Sequence, residues 1–525
     1  MDAITAIEAR RVALQKELDG DKTQKERNRL GQFATPTLLA SDVLTYARTL
    51  LAENVPVRFL DPAIGTGSFY TALLRHFPSA RIKAAAGIEI DPHYGNPARE
   101  LWRGRALKIE LGDFTAMKPP KPPNLFNLIV CNPPYVRHHH MGVEEKGRLQ
   151  EATAAACGVR MAGLAGLYCH FLGLAHPWMA DEGIALWLIP SEFMDVNYGG
   201  PVKRYLLSQV QLLRIHRFDP NDLQFGDALV SSTVVCFRMR RRDPDHQVEL
   251  SYGGKLSRPT HTRFVSATTL QNMRKWTGLA ANGVQEPKDG LRLGDFFLIK
   301  RGLATGENRF FILSRVEIEQ RGLPREFFKP ILPGPRHLPT DVIEAEKDGT
   351  PKIDRQLFIL DCRLPEDVVR KRFPKLWSYL KTGKPRVSDT YLCSRRKPWY
   401  AQENRPPAPF LCTYMGRNLV KRDKPFRFIF NQSQATAANV YLLLYPRPPV
   451  AKSLESDPKL GLLVWNFLDS IPPGTLLGEG RIYGGGLYKM EPKELANVPA
   501  DAIAELLPTM THSPKQHELF GGRAA

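Results

Sequence analysis

Phe59-Leu60-Asp61-Pro62-Ala63-Ile64-Gly65-Thr66-Gly67-Ser68-Phe69 reads as an apolar strand that runs into a tight two-glycine loop and then into a helix. Glycine reaches positive φ without a side-chain penalty, so such a loop lets the backbone approach a ligand closely. The helix N-terminus beyond it adds dipoles that favour an anion. Alone, the pattern fits many nucleotide sites and many plain turns. The flanking sequence decides between them. Short apolar runs at Val57–Leu60, Ala85–Ile90, Leu107–Leu111, Leu128–Cys131, Ile184–Ile189, Leu212–Phe218 and Thr233–Met239 alternate with helix-like stretches. That alternation predicts an α/β, doubly wound domain of about seven strands, with ligands at the carboxyl ends of the strands.

Each later strand end carries chemistry. Gly87-Ile88-Glu89-Ile90-Asp91 puts Glu89 twenty-two positions after Gly67, close to where an acid grips two ribose hydroxyls. Gly112-Asp113-Phe114 puts a carboxylate after the third strand, where it would accept a hydrogen bond from an adenine amine; alone it also reads as a turn aspartate. The fourth strand runs into Asn132-Pro133-Pro134-Tyr135. Two successive prolines fix the backbone and remove two N–H donors. An amide side chain before them and an aromatic ring after them make a set that accepts hydrogen bonds from an NH2 group. The same set stacks the planar ring that carries the amine.

The chain has 525 residues and a formal net charge of +19, from 73 lysines and arginines against 54 acidic residues. A balance this basic points to a polyanionic partner, most simply nucleic acid. With 43% hydrophobic residues, disorder is excluded. The apolar runs are far shorter than the roughly 18–20 residues of a membrane span, and Met1-Asp2-Ala3-Ile4 does not open a secretory leader, so a cytoplasmic protein without membrane contact is expected. Seven cysteines form no CxxC pair, which speaks against a zinc ribbon or a disulfide framework. The run His138-His139-His140 has poor ligand geometry, and no metal is expected.

Taken in order, DPAIGTG, GIEID, GDF and NPPY resemble the class I S-adenosylmethionine-dependent methyltransferases acting on amino groups. More narrowly they resemble the gamma-class, TaqI-like N6-adenine DNA methyltransferases of restriction–modification systems. Gly31-Gln32-Phe33-Ala34-Thr35-Pro36 is similar to the family's segment that closes over the cofactor, and Ser191-Glu192-Phe193 to a later motif. Asn221-Asp222-Leu223-Gln224-Phe225 is similar to the segment whose aromatic residue stacks on an extruded base. The resemblance implies a Rossmann-like methyltransferase domain over 31–245, after an N-terminal helical arm over 1–30. A linker and mixed α+β target-recognition domain over 246–525 would follow. It implies S-adenosyl-L-methionine as cofactor, held by Thr35, Asp61, Ala63, Gly65, Gly67, Glu89, Ile90, Asp113, Phe114 and Pro134. Asn132, Pro133, Tyr135 and Phe225 would serve the flipped adenine.

The glycine loop precedes NPPY by only 65 positions, leaving no room for an inserted recognition domain. Recognition of double-stranded DNA is therefore expected in the second half. Candidate DNA contacts there are Tyr391–Tyr400 and Gly416–Arg422; core packing of Trp399 and Tyr400 is the competing reading. Arg301–Gly306 and Gly484–Lys489 resemble segments of the family's recognition region. A monomer would suffice for one strand at a time, and the resemblance admits a separately encoded restriction endonuclease as partner. Two rivals remain at this stage: an RNA amino-group methyltransferase, and a DNA-binding protein with a vestigial methyltransferase fold.

Overall fold

A computed structural model describes residues 3–219, 232–240, 246–273, 275–277, 290–417, 424–457, 459–483 and 487–507. The chain divides into two compact units, the first Met1–Glu286 with Tyr483–Gly485, the second Pro287–Ile482 with Gly486–Ala525.

The first unit is built on a nine-stranded sheet: β1 (Val57–Asp61), β2 (Ile82–Glu89), β3 (Leu107–Leu111), β4 (Phe126–Cys131), β5 (Met179–Pro190), β6 (Gln211–Arg217), β7 (Ser232–Arg238), β8 (Gln247–Gly254) and β9 (Pro259–Ser266). Their order is β3-β2-β1-β4-β5-β7-β6-β8-β9. The first five are mutually parallel, and β7 runs antiparallel between β5 and β6. All seven expected strands are present.

The central strands alternate between two buried faces, which is why they read as unbroken apolar runs. In β5, Ile184, Leu186 and Leu188 join a core with helices α3 (Thr37–Leu50), α4 (Ser68–His76) and α5 (Pro92–Leu101). Ala185, Trp187 and Ile189 join the opposite core with α7 (Leu167–Leu174) and α8 (Gly200–Ser208), while α6 (Val143–Cys157) contributes Cys157. Each large apolar side chain buried this way stabilises the sheet by about 1.5–3 kcal/mol. Before α3 come α1 (Ala3–Gly20) and α2 (Gln24–Leu30), the helices of the expected arm.

The sheet continues past the basic break near residue 240, where the sequence suggested a boundary at 245. β8 pairs parallel with β6, and β9 closes a hairpin onto β8. Asp42 of α3 accepts hydrogen bonds from the backbone N–H groups of Leu256 (2.6 Å) and Ser257 (3.1 Å), tying the hairpin turn to the first core. The first unit thus gains a hairpin that was assigned to the second.

The second unit is mixed α+β. A five-stranded sheet takes Phe297–Arg301, Tyr441–Pro446, Phe410–Thr413, Phe428–Asn431 and Val342–Ile343 in that order. Trp399 and Tyr400 are buried there among Phe310, Phe311 and Leu376, so packing claims them rather than DNA. Tyr391 by contrast is exposed, with the Arg395 guanidinium 4.2 Å from its ring centre. Residues 418–422 and 484–486 lie outside the described residues. Among the described residues, no helix is long and apolar enough to cross a membrane.

Candidate active site

The glycine loop follows β1 as the sequence implies. Gly65 and Gly67 hold positive φ, 54° and 94°. At Gly67 sterics add a second reason for glycine: a Cβ would stand 2.6 Å from the indole nitrogen of Trp102. That nitrogen donates to the Thr66 carbonyl at 2.9 Å and pins the loop from the side. Asp61 ends β1 and is buried, accepting from the Ala63 N–H at 3.1 Å. Burial, with Glu89 close by, pushes its carboxyl up to about 8 despite the Ala63 hydrogen bond. Glu89 ends β2 and is also buried; it accepts from Gly65 N–H and Asp91 N–H, both at 2.9 Å. Burial raises its pKa too, more than those two bonds lower it.

The segment Gly31–Thr35 runs directly against NPPY. A Cβ on Gly31, whose φ is +66°, would meet the Tyr135 backbone nitrogen at 2.3 Å. The payoff is at Asn132. Its Nδ2 donates to the Phe33 carbonyl at 3.0 Å and to Thr35 Oγ1 at 3.1 Å. The Phe33 carbonyl can only accept, which fixes which end of the amide is NH2. Oδ1 is left buried and, among the described residues, without a hydrogen-bond partner. A buried orphan acceptor costs roughly 1–3 kcal/mol, so a site that keeps one is built to receive a donor.

The other expected residues divide. Thr35, Asp61, Ala63, Gly65 and Asn132 line one cavity of about 50 Å³. Arg11, Gln15, Phe33, Thr66, Ser68 and Phe69 line it too, and none was singled out as a ligand contact from sequence. Pro133 is buried, Pro134 and Tyr135 are half-buried. The Tyr135 hydroxyl donates to the Leu188 carbonyl at 3.0 Å, which sets the ring 5.9 Å from that of Phe33.

Asp113 is engaged within its own turn, accepting from Thr115 N–H at 2.9 Å and Oγ1 at 2.7 Å, with Arg148 at 3.6 Å. Phe114 is not at the cavity; it packs in the core against Phe171 and Trp178, at 5.1 and 5.3 Å. Ile90 is exposed at the end of β2. Phe225 lies outside the described residues.

The residues fit an adenosyl amino acid: a backbone-lined glycine loop and buried acids at the ends of β1 and β2, with the Asn132 amide oxygen beside them. The cavity itself holds only a small group, since pockets for ligands of that size run to roughly 300–1,000 Å³. Lys22 and Gln32 both contact Asp91 just beyond the end of β2.

Strand order β3-β2-β1-β4-β5-β7-β6, with the antiparallel β7, defines the Rossmann-like methyltransferase fold. Residues 101–224 match the family model of the Eco57I restriction-modification methylase, and residues 279–519 that of the C-terminal domain of type II methyltransferase M.Eco57I. Both parts of the chain are therefore similar to restriction–modification methyltransferases. It is 28% identical over 501 residues to type II methyltransferase M.XamI of Xanthomonas campestris pv. amaranthicola, covering 91% of this chain and 86% of the relative. It is 24% identical over 489 residues to M.AccI of Acinetobacter calcoaceticus, covering 90% and 85%. Among solved structures its fold is similar to the type IIL restriction-modification enzyme MmeI, solved with DNA, at a TM-score of 0.52. That match has 13% identity and covers 95% of this chain and 69% of MmeI.

Proposed function

We propose that this chain transfers a methyl group from S-adenosylmethionine to the N6 amine of an adenine flipped out of duplex DNA. It acts as a monomer and as the modification counterpart of a separately encoded restriction endonuclease. The observation that carries the reading is Asn132, whose carbonyl oxygen is buried, without a hydrogen-bond partner among the described residues, and oriented by the bond of its NH2 to the Phe33 carbonyl.

When bound, the cofactor supplies an electrophilic sulfonium methyl. Asn132 Oδ1 accepts one N–H of the adenine amine and the Pro133 carbonyl accepts the other. Those bonds draw the amine out of conjugation and free its lone pair for in-line attack. As the N–C bond forms the methyl–sulfur bond would break, leaving S-adenosylhomocysteine, and the amine would lose one proton to solvent. Tyr135 and Phe225 hold the base by stacking, repaying part of the few kcal/mol that extrusion costs. Catalysis then rests on positioning and on the two acceptors, which stabilise charge developing on nitrogen. The basic second half reads the duplex.

The test is expression in a methylation-free bacterial host, followed by long-read sequencing that scores modified bases genome-wide. Near-complete N6-methyladenine in one short motif is expected, and its loss in Asn132→Ala. Unmodified DNA with wild-type protein, or full modification by the variant, would overturn the reading. Methyl transfer to RNA alone would favour the rival substrate.

A further inference from the structure

Arg11 sits in α1, outside every motif singled out in the sequence, yet its side chain is buried at 3% exposure. A guanidinium stays charged, so burying it demands partners. Nε and Nη2 grip Glu8 through both carboxylate oxygens, at 2.8 and 2.7 Å, and Nη2 also reaches Thr37 Oγ1 at 3.3 Å. Glu8 is buried as well. Burial works to raise its pKa, but hydrogen bonds from Arg11 and Thr37 outweigh it and keep the carboxyl below its ordinary value. The pair is therefore charged on both sides.

Its third nitrogen faces elsewhere. Nη1 donates to Thr66 Oγ1 at 3.1 Å, and Thr66 in turn donates to Gln15 Oε1 at 2.7 Å. Thr66 stands between the two glycines of the loop. Nη1 carries a second N–H, and Arg11 and Gln15 line the same cavity as Asp61, Gly65 and Asn132. Attaching a helix to a domain needs no such pair, because desolvating two charges often costs as much as their attraction returns. Placed at the wall of a ligand cavity, a preorganised cation has an anion to receive.

We propose that Arg11 receives the carboxylate of the cofactor's methionine end, with Glu8, Thr66 and Gln15 holding its guanidinium in place. This rests on the cofactor reading above. The small cavity suits such a group, and the buried Asp61 lines it too.

The experiment compares two ligands by calorimetry on the full-length protein. S-adenosylhomocysteine carries the amino-acid end; 5′-methylthioadenosine has the same nucleoside thioether without it. Arg11→Met should weaken S-adenosylhomocysteine about ten- to a hundredfold, the worth of a charge-assisted hydrogen bond. It should change methylthioadenosine binding by less than about twofold. The double variant Glu8→Gln with Arg11→Met removes both charges, leaves no buried carboxylate unpaired, and should show the same selective loss. Glu8→Gln alone should keep the preference for S-adenosylhomocysteine. Equal losses for both ligands, or undiminished S-adenosylhomocysteine affinity, would overturn the assignment while leaving the cofactor reading standing. A wild-type protein that binds neither ligand would overturn the cofactor reading, and this assignment with it.

Discussion

Asn132 puts the two ends of one amide to different uses: its NH2 is spent on Phe33 and Thr35, its oxygen is held in reserve. The residue was legible in NPPY because the prolines and the strand before it mark the turn. Its orientation was not, since the acceptors that fix it lie nearly a hundred positions upstream. Arg11 was illegible for a plainer reason: one arginine in a charged helix looks like a solvated face until tertiary contacts bury it. Asp61 carries a pH signature. Its carboxyl titrates near 8 in the folded protein against an unfolded value near 3.8. A raised acid pKa means the folded state holds a proton that the unfolded state releases, so stability from this group falls as pH rises through that window. Compared with Asp61→Asn, the wild type should lose melting temperature steadily from pH 6 to 8 and level off above. A difference between the two that stays flat from pH 6 to 9 would show Asp61 to be ionised throughout.

At the scale of elements, the decisive contact is the segment Gly31–Thr35 laid along NPPY. Gly31→Ala must either leave its positive φ or push the Tyr135 backbone, and both shift the carbonyl and hydroxyl that aim Asn132. Misplacement by about 1 Å at a reacting group costs roughly a hundredfold in rate. Turnover should fall by about that factor, while the melting temperature drops only a few degrees, as befits about 1–3 kcal/mol of local strain. Wild-type turnover would mean that this segment does not position the amide. The inner strands β1, β4, β5 and β7 were legible because both of their faces are buried, which writes an apolar run into the sequence. β9 was not. Most of Pro259–Ser266 is solvent-exposed, Phe264 included, so edge pairing places it without an apolar pattern to announce it.

For the whole molecule, charge is the property that the sequence declares most openly. A net +19 committed to DNA phosphates releases counterions on binding, and affinity should then fall steeply with salt. Contacts to about 6–10 phosphates would cost roughly 10³–10⁵ in affinity between 50 and 200 mM salt. Titrating a labelled duplex across that range checks it, and a change below tenfold would assign the charge to something other than phosphate contact. The division into units was less legible, because a basic, proline-bearing break at residue 240 mimics a linker while the sheet runs on beyond it.

The order of the strands also sets a clock. β7 fills the gap between β5 and β6, so neither neighbour has its final partner until residues 232–238 have been made. Synthesis proceeds at about 5–20 residues per second, which leaves the finished β5 with an unpaired edge for on the order of 2–10 s. From Gly183 to Pro190 every residue of that strand is buried once paired, so the edge is apolar on both faces while it waits. Those seconds on the ribosome, before the sheet can close, are when the nascent chain is most open to mispairing with its neighbours on the same messenger.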